Sequence, residues 1–518
     1  MKPLNGPVAA IIGSALVMAA IAAAWIATPL FLAVGVIGLA FVAYCAHRWP
    51  KATLTVGALA TFVDPVLVPL VLPGSLGTGP IGASEPLLAV AAIVIAVDAI
   101  RGGTFVSALR DPVLGFVVLL ALVGVVSGLV NAVPPVVAAL GIFVTVDAIA
   151  VYFLARMAGF DARATTLVIG SLVGLAVVVS VFGILQVALH PDLLGFASFA
   201  GRFGEGGRIT AFTGNPNMVA AIIGMALPFP LFGALHLDRR RDRRVAWGIA
   251  ILLVLALLLT FSRGAWIAVG LGAVVGALIL DRRTLLVFVV AIALAWGLTV
   301  VMPRHVLVAS QDLHLYFLDG AGDPSIVDST VDRIGEVYER RDLRMRFIIE
   351  GLPIVNDNMW LGIGPGRYGG AAASIIPSPV YEEYGTGLYG FRTVHNFWLH
   401  LMGELGVAGI TIFLAMIAGL FWRFVMAARR ASSMRFVLFA GAATATLTIT
   451  LNNLTEMLFE GNVPGVMIWL LLGSLSVLAP TWSLIDQPEP EAIDDPGLGA
   501  AERGDSASGT RAPQPERR

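Results

Sequence analysis

Apolar residues run in long stretches along most of the chain, and charged residues gather in the short segments between them. An α-helix of about 20 apolar residues crosses the ~30 Å hydrocarbon core of a bilayer. The pattern therefore predicts an all-α polytopic membrane protein with about fourteen transmembrane helices. The predicted spans are 7–26, 29–46, 53–71, 85–100, 113–131, 137–157, 165–188, 216–235, 245–261, 264–280, 285–302, 397–421, 436–456 and 463–480.

The composition agrees with a membrane protein and excludes several other classes. Hydrophobic residues make up 58% of the chain and charged residues 13%, whereas soluble domains carry about 25% charged residues. A net charge of −1 gives no reason to expect a nucleic-acid partner. The single cysteine, Cys45, excludes an internal disulfide framework, and no CxxC or HExxH motif predicts a metal site.

The basic residues predict the orientation of the helices. They lie on alternate connections, so all of them fall on one side of a fourteen-span arrangement, and the positive-inside rule assigns that side to the cytoplasm. Both termini are then cytoplasmic, and the tail from Asp486, rich in Pro, Glu, Asp and Gly, is expected to be disordered. The basic connections are 47–51, 101–110, 156–163, 239–244, 282–283 and 423–435.

This orientation places a loop at 189–215 and a long loop at 303–394 on the extracytoplasmic side. The long loop holds six of the eight tyrosines, which favours a binding surface, although an interfacial aromatic belt is the alternative. These tyrosines are Tyr316, Tyr338, Tyr368, Tyr381, Tyr384 and Tyr389.

Two short motifs lie at extracytoplasmic ends of predicted spans. Ser262-Arg263-Gly264 forms a tight hairpin, and Arg263 is either a snorkelling side chain or a fixed cation for an anionic head group. The segment from Arg208 to Asn217 ends in Asn215-Pro216-Asn217, which is typical of a helix N-cap followed by proline at the first helical position. The same helix N-terminus is able to face a phosphate.

The long loop contains an arginine-rich amphipathic helix and a glycine cluster. Residues 333–355 have the helical pattern, with Arg340 and Arg344 on one face and Arg346 pointing elsewhere. The glycine-rich segment 361–366 follows and allows a tight turn.

A histidine ends the loop, in Val394-His395-Asn396, with Glu404 and Gly406 further on. Such a histidine is able to act as a base, and the alternative is an ordinary interfacial side chain. His400, about 140° further round the helix, is expected to face another direction and to be replaceable.

Together these motifs resemble the O-antigen ligase and O-antigen polymerase family of bacterial membrane glycosyltransferases. The resemblance covers about residues 165–460, with the motifs in family order. One departure is Ile348, which stands where the family often has tryptophan. Arg344 lies 18 residues before Gly362, the spacing typical of the family, so it corresponds to the family's helix arginine, with Arg340 as the rival.

The resemblance implies a GT-C-like fold in the bacterial inner membrane and three parts: helices in 1–164, a family core in 165–485 and a tail at 486–518. It implies transfer of a glycan from a polyprenyl diphosphate to a glycan, lipid or protein acceptor, without a cofactor. Arg263 and Arg344 would hold the diphosphate and His395 would act on the acceptor. The implied substrate-binding residues are Arg208, Asn215, Asn217, Ser262, Arg340, Asn396 and Glu404.

The residues themselves agree with a lipid-linked donor, since no cytoplasmic domain and no Asp-x-Asp motif is present to hold a nucleotide sugar. A transporter or lipid-glycan flippase is the main alternative, and a membrane scaffold is a third. Sparse charge inside the spans favours an enzyme over a flippase. Ligases, polymerases and protein glycosyltransferases share the motifs, which leaves the acceptor and the sugar open.

Overall fold

The computed structural model describes residues 28–62, 84–188, 209–213, 215–285, 343–370, 372, 376, 378–385, 394–460 and 463–479. All regular elements within these residues are helices. Six of the helices are long and apolar enough to span a membrane, as the sequence pattern predicts for a polytopic protein. These six are Pro112–Val130, Pro135–Met157, Ala162–Gln186, Pro216–His236, Phe397–Arg429 and Ser433–Asn452.

Before the first of the motifs, the described helices are α1 (Thr28–Arg48), α2 (Pro50–Ala60), α3 (Glu85–Arg101), α4 (Phe105–Leu109), α5 (Pro112–Val130), α6 (Pro135–Met157) and α7 (Ala162–Ala188). The remaining helices are α8 (Pro216–Ala226), α9 (Pro228–His236), α10 (Arg240–Leu259), α11 (Arg263–Ile279), α12 (Leu343–Asp357), α13 (Val380–Glu383), α14 (Phe397–Arg429), α15 (Ser433–Asn452) and α16 (Val463–Leu478). The predicted spans 7–26 and 285–302 lie outside the described residues, apart from Leu285.

One predicted boundary agrees with the structure and another differs. The span predicted at 216–235 is found at Pro216–His236, where α8 and α9 follow one another through Leu227, which keeps a helical φ of −54° and ψ of −38°. The span predicted at 436–456 ends at Asn452, and residues 453–460 form a non-helical segment of mixed polar and apolar residues beyond it.

The helix α14 is not continuous. Gly406 has φ of 64° and ψ of −164°, a conformation that breaks the helical hydrogen-bond ladder. Residues 359–364 fill the break: Ile363 N donates to Gly403 O at 2.9 Å, and Val407 N donates to Met359 O at 2.8 Å. The glycine cluster of the long loop therefore satisfies backbone groups that a broken helix would otherwise leave without partners inside the bundle.

Side chains at the C-terminal end of α5, including its C-cap Asn131, fix the same loop segment from the other side. Ser127 Oγ donates to Leu361 O at 2.5 Å, and Asn131 Nδ2 donates to Gly362 O at 3.0 Å. Gly362 has φ of 67°, and a Cβ there would overlap the backbone of Glu404. Only glycine fits at this crossing, so the cluster serves close packing between the loop and the bundle.

Glycines also bring α11 and α15 together. A Cβ at Gly272 or Gly276 would overlap the side chain of Thr448 or Thr444, respectively. Small residues at four-residue spacing allow two membrane helices to approach closely. This contact aligns the start of α11 with the end of α15.

The helices α10, α14 and α15 each connect two chemically different ends of the bundle. One end, called here the arginine end, consists of residues 236–244, 279–283 and 429–435. Two side-chain contacts hold these segments together: His236 with Asp281 at 2.8 Å, and Ser433 with Asp238 at 2.8 Å. The opposite end, called the polar end, carries Ser262-Arg263-Gly264, His395-Asn396 and residues 452–456. The predicted alternation of basic loops is thus seen for these three connections.

Candidate functional site

The Asn-Pro-Asn motif starts α8 at the polar end, as the sequence predicts. Asn215 is the N-cap residue and its Oδ1 accepts a hydrogen bond from Asn217 N at 2.9 Å, while Pro216 is the first helical residue. The Asn217 side chain points across the end of the bundle, where its Nδ2 donates to Glu456 Oε1 at 2.7 Å. The motif thus has a capping residue and a residue that reaches the segment following α15.

The Ser-Arg-Gly motif forms the tight turn between α10 and α11. Phe261 has φ of 49°, and Ser262 N donates to Thr260 Oγ1 at 3.2 Å to close the turn. Arg263 is the first residue of α11 and is partly buried. A cation at a helix N-terminus opposes the helix dipole, so helix stability does not explain an arginine at this position.

Gly264 ties this turn to the segment after α15. A Cβ at Gly264 would overlap the side chain of Thr455. The glycine therefore permits the start of α11 to touch residues 452–456 directly, which brings Arg263 to the same region as Asn217.

The His-Asn motif starts α14 against that same segment. Asn396 caps the helix by accepting from Leu399 N at 3.0 Å. Phe397 N donates to Asn453 O at 2.9 Å and to Glu456 O at 3.1 Å, so the backbone of residues 453–456 holds the start of the helix.

His395 is partly open to solvent at the polar end. Its side chain is 41% exposed, and its Nδ1 lies 4.0 Å from Glu456 Oε2. The backbone φ of 51° is unusual for a residue with a Cβ, and such conformations persist where the surroundings enforce them. Asn217, His395 and Glu456 together are called here the lip cluster.

Glu456 is the residue that sequence reasoning missed. Its two carboxylate oxygens face Asn217 and His395, respectively, and its side chain is 12% exposed. The predicted span at 436–456 included it as a terminal helix residue, although the polar run Asn452, Asn453, Thr455 and Glu456 was a signal that the helix ends earlier.

An aromatic cluster lies beneath the start of α14. Phe397 packs against Phe459 with ring centroids 5.5 Å apart and against Phe413 at 5.0 Å, and Phe459 packs against Trp469 at 5.9 Å. These rings are almost fully buried. The cluster holds the helix that begins after His395 on a closely packed base.

A second group of a histidine and carboxylates lies deeper. His400, Glu404 and Glu460, called here the buried cluster, have side chains that are 1%, 2% and 3% exposed. His400 Nε2 lies 3.2 Å from Glu460 Oε1 and 3.9 Å from Glu404 Oε2. Glu404 Oε1 also accepts from Tyr368 N at 3.2 Å, so this group joins the long loop to α14 and to the segment after α15.

His400 therefore does face away from His395, as predicted, but it is not a replaceable helix residue. A buried carboxylate is costly unless a partner compensates its charge, and His400 is the cation-forming group next to two of them. We therefore expect substitution of His400 to lower the stability of the protein, while a small effect on transfer itself stays a prediction. Glu404, predicted to bind substrate, is part of the same buried cluster.

The tyrosines of the long loop fall into two kinds. Tyr368 and Tyr381 are each 1% exposed, and burial raises the pKa of both phenols, so they form the core of the loop and not a binding surface. Tyr368 fits between Gly351 of α12 and Gly403 of α14. Tyr384 is 37% exposed, and the other three tyrosines of the loop lie outside the described residues.

The remaining predicted arginines are only partly described. The backbone of Arg344 lies in the first turn of α12, within the helix predicted for the loop, and its side chain lies outside the description. Arg340 and Arg208 lie outside the described residues. The helix α12 packs on α14 through Tyr368, which contacts Gly351 of α12 and Gly403 of α14. Gly351 is seven residues after Arg344 in the sequence.

Comparison with known families agrees with these motifs. Residues 248–414 match the family model Wzy_C, described as O-Antigen ligase. The match contains Ser262-Arg263-Gly264, α12, the glycine cluster and His395-Asn396, and it supports assignment of the chain to the O-antigen ligase and polymerase family. It indicates a membrane enzyme of surface polysaccharide assembly. No curated protein matches the chain.

Proposed function

We propose that this protein transfers a glycan from a polyprenyl diphosphate carrier to an acceptor hydroxyl on the extracytoplasmic face of the bacterial inner membrane. The observation that carries the proposal is the convergence of three separate motifs on residues 452–456. Asn217, Gly264 and Phe397 each contact this segment, although they are far apart in sequence.

The donor diphosphate is assigned to arginines. Arg263 projects from the first turn of α11 at the polar end, and Arg344 is placed in the first turn of α12. An arginine stays charged and grips a phosphate through two parallel hydrogen bonds. The N-terminus of α8 adds backbone N–H dipoles next to Asn217, which also favour an anion. Arg340 remains the rival to Arg344 for the loop contribution.

The acceptor is assigned to His395, which is the exposed base of the lip cluster. In the proposed reaction the acceptor oxygen attacks the anomeric carbon of the donor sugar, and the bond from that carbon to the diphosphate oxygen breaks. His395 takes the hydroxyl proton, and the departing polyprenyl diphosphate keeps the bonding electron pair. The arginines stabilise the negative charge that develops on this leaving group.

Glu456 is assigned to orient His395. Its carboxylate is held by Asn217 on one oxygen, and the other oxygen faces the imidazole Nδ1. A carboxylate in this position favours a proton on Nδ1, so that the lone pair on Nε2 is the proton acceptor, and it stabilises the imidazolium that forms.

The decisive experiment uses purified full-length protein in liposomes with a polyprenyl diphosphate-linked glycan and an acceptor glycan or lipid. The proposal expects glycan on the acceptor and release of polyprenyl diphosphate. Movement of the donor across the bilayer without either product would instead identify a flippase and overturn the proposal.

The choice between ligation and polymerisation is a separate question, which the glycans of a deletion strain answer. Loss of a ligase leaves polymer on the lipid carrier, whereas loss of a polymerase leaves single repeat units there. We assign the protein to surface polysaccharide assembly and expect one of these two patterns. An unchanged glycan profile would contradict the assignment.

A further inference from the structure

The arginine end contains a dense group of arginines. Residues 239–244 comprise five arginines and Asp242, and Asp238 precedes them. None of the ion pairs in the described part of the chain involves one of these arginines. In contrast, Arg156 and Arg423 both pair with Asp111, at 3.1 and 2.9 Å.

Three of the arginines surround one cavity. Arg240, Arg243 and Arg244 line a space of about 430 Å³ together with Trp247 and two residues of α9, Ala234 and Leu235. Arg243 and Trp247 are partly buried, whereas Arg240 and Arg244 are exposed. The cavity thus presents three guanidinium groups and one indole, a combination that suits a phosphate at a membrane interface.

The face of α10 that leads away from this cavity changes from cationic to apolar. Arg240, Arg244, Trp247, Ile251 and Leu255 lie within an arc of about 80° on the helix. Ile251 is 63% exposed and Leu255 is 39% exposed, so an apolar chain is able to lie along them. The order guanidinium, indole and exposed aliphatic side chain matches the order phosphate, glycerol region and acyl chain of a phospholipid.

A cavity on the other side of α10 provides a contrast. It measures about 440 Å³ and is mainly apolar, and its lining contains Arg241 next to Asp242. The one cation and the one anion cancel, so this second cavity offers little attraction to a negative head group.

We propose that the cavity formed by Arg240, Arg243, Arg244 and Trp247 is a binding site for an anionic phospholipid. The phosphate lies among the three guanidinium groups and an acyl chain lies along Ile251 and Leu255. A zwitterionic phospholipid carries its own cation next to the phosphate, so the site discriminates in favour of anionic lipids. This site lies at the end of α10 opposite to Arg263 and is independent of the transfer reaction.

Native mass spectrometry of the delipidated full-length protein tests the proposal, with phosphatidylglycerol and phosphatidylcholine as probes. The wild type is expected to retain phosphatidylglycerol in preference to phosphatidylcholine. The variant Arg243→Gln/Arg244→Gln is expected to lose roughly 30-fold in affinity for phosphatidylglycerol, since each arginine near an anionic lipid contributes about a factor of five.

The matched control is Arg282→Gln/Arg283→Gln, which removes the same charge from exposed residues at the same end. This control is expected to bind phosphatidylglycerol as the wild type does, and Arg243→Lys/Arg244→Lys, which keeps the charge, is expected to retain most of the binding. Equal loss in both glutamine variants, or equal retention of the two lipids by the wild type, would overturn the proposal. The lysine variant separates a lost charge from a misfolded protein.

Discussion

The lip cluster and the buried cluster are built from the same residue types and differ in their access to solvent. Each combines a histidine near the start of α14 with one or two glutamates. The two histidines, His395 and His400, are five residues apart in sequence. His395 is 41% exposed and 4.0 Å from its carboxylate, whereas His400 is 1% exposed and 3.2 Å from Glu460.

This difference separates a reactive role from a structural one. An acceptor hydroxyl is able to reach His395, because this side chain is open to solvent. The hydroxyl proton can then pass to the imidazole. No acceptor is able to reach His400, whose surroundings are Glu404, Glu460 and the backbone of Tyr368. A histidine next to a carboxylate is therefore suited to proton transfer in the lip cluster. In the buried cluster the same pair holds the long loop against the helix bundle.

The largest effect on turnover is expected at the lip. His395→Ala should reduce transfer by about 10²- to 10⁴-fold, the usual contribution of a positioned base, while donor binding and thermal unfolding stay unchanged. The measurement is turnover by purified protein with lipid-linked donor and acceptor. Normal turnover of His395→Ala between about pH 6 and pH 8 would leave His395 as an ordinary interfacial residue.

The arginines should follow with a smaller effect. Arg263→Ala and Arg344→Ala should each reduce transfer by about 10- to 100-fold, because a charge-assisted hydrogen bond is worth roughly 1.5–3 kcal/mol. Lysine at either position should rescue poorly, since it lacks the planar fork. Donor affinity and turnover are measured together.

The matched control for the loop arginine is Arg346→Ala, which we expect to have a milder effect because helical spacing puts position 346 about 200° round from position 344. Wild-type activity of Arg344→Ala would transfer the role to Arg340. If Arg340→Ala is also fully active, the loop contributes no arginine to the diphosphate.

A third, smaller effect is expected at Glu456. Glu456→Gln keeps an oxygen for Asn217 but removes the charge next to His395, so turnover should fall by about fivefold, equivalent to ~1 kcal/mol for a partly exposed pair. Glu383→Gln serves as the control, because Glu383 is 54% exposed and pairs with Arg367 in the loop. A loss equal to that of His395→Ala would assign Glu456 a direct part in the chemistry.

The smallest effect on turnover, and the largest on stability, is expected at the buried cluster. His400→Ala leaves Glu404 and Glu460 buried without their shared partner, and breaking a buried ion pair costs about 3–5 kcal/mol. The yield of folded protein and its melting temperature should fall, while turnover per folded molecule stays near that of the wild type. A stable His400→Ala protein that is inactive would place His400 in the reaction and remove the contrast between the clusters.

The sequence predicted the helical membrane class and the N-cap at Asn215, because both follow from local patterns of apolar and capping residues. It also predicted that the glycine cluster forms a turn, but it did not predict what this turn contacts. Residues 361–366 fill a break at Gly406, some forty residues later, and no local pattern encodes a contact at that distance.

Glu456, Glu460 and their pairing with the two histidines escaped prediction for the same reason. The sequence places Glu456 at the end of an apolar run and Glu460 in a short loop, and nothing nearby pairs either of them with His395 or His400. Their partners are fixed only when α14 and α15 lie side by side. The fourteen-span count and the three-part domain division remain predictions.

Every step of the proposed reaction takes place at the polar end, so the side of the membrane on which this end lies tests the account most directly. The measurement is labelling of intact cells with an impermeant thiol reagent, in a Cys45→Ala background, for Glu382→Cys in the long loop and Arg282→Cys at the arginine end. Both positions are exposed. We expect labelling at 382 and none at 282 until the membrane is permeabilised. Labelling at 282 and not at 382 would place the polar end in the cytoplasm and contradict the account.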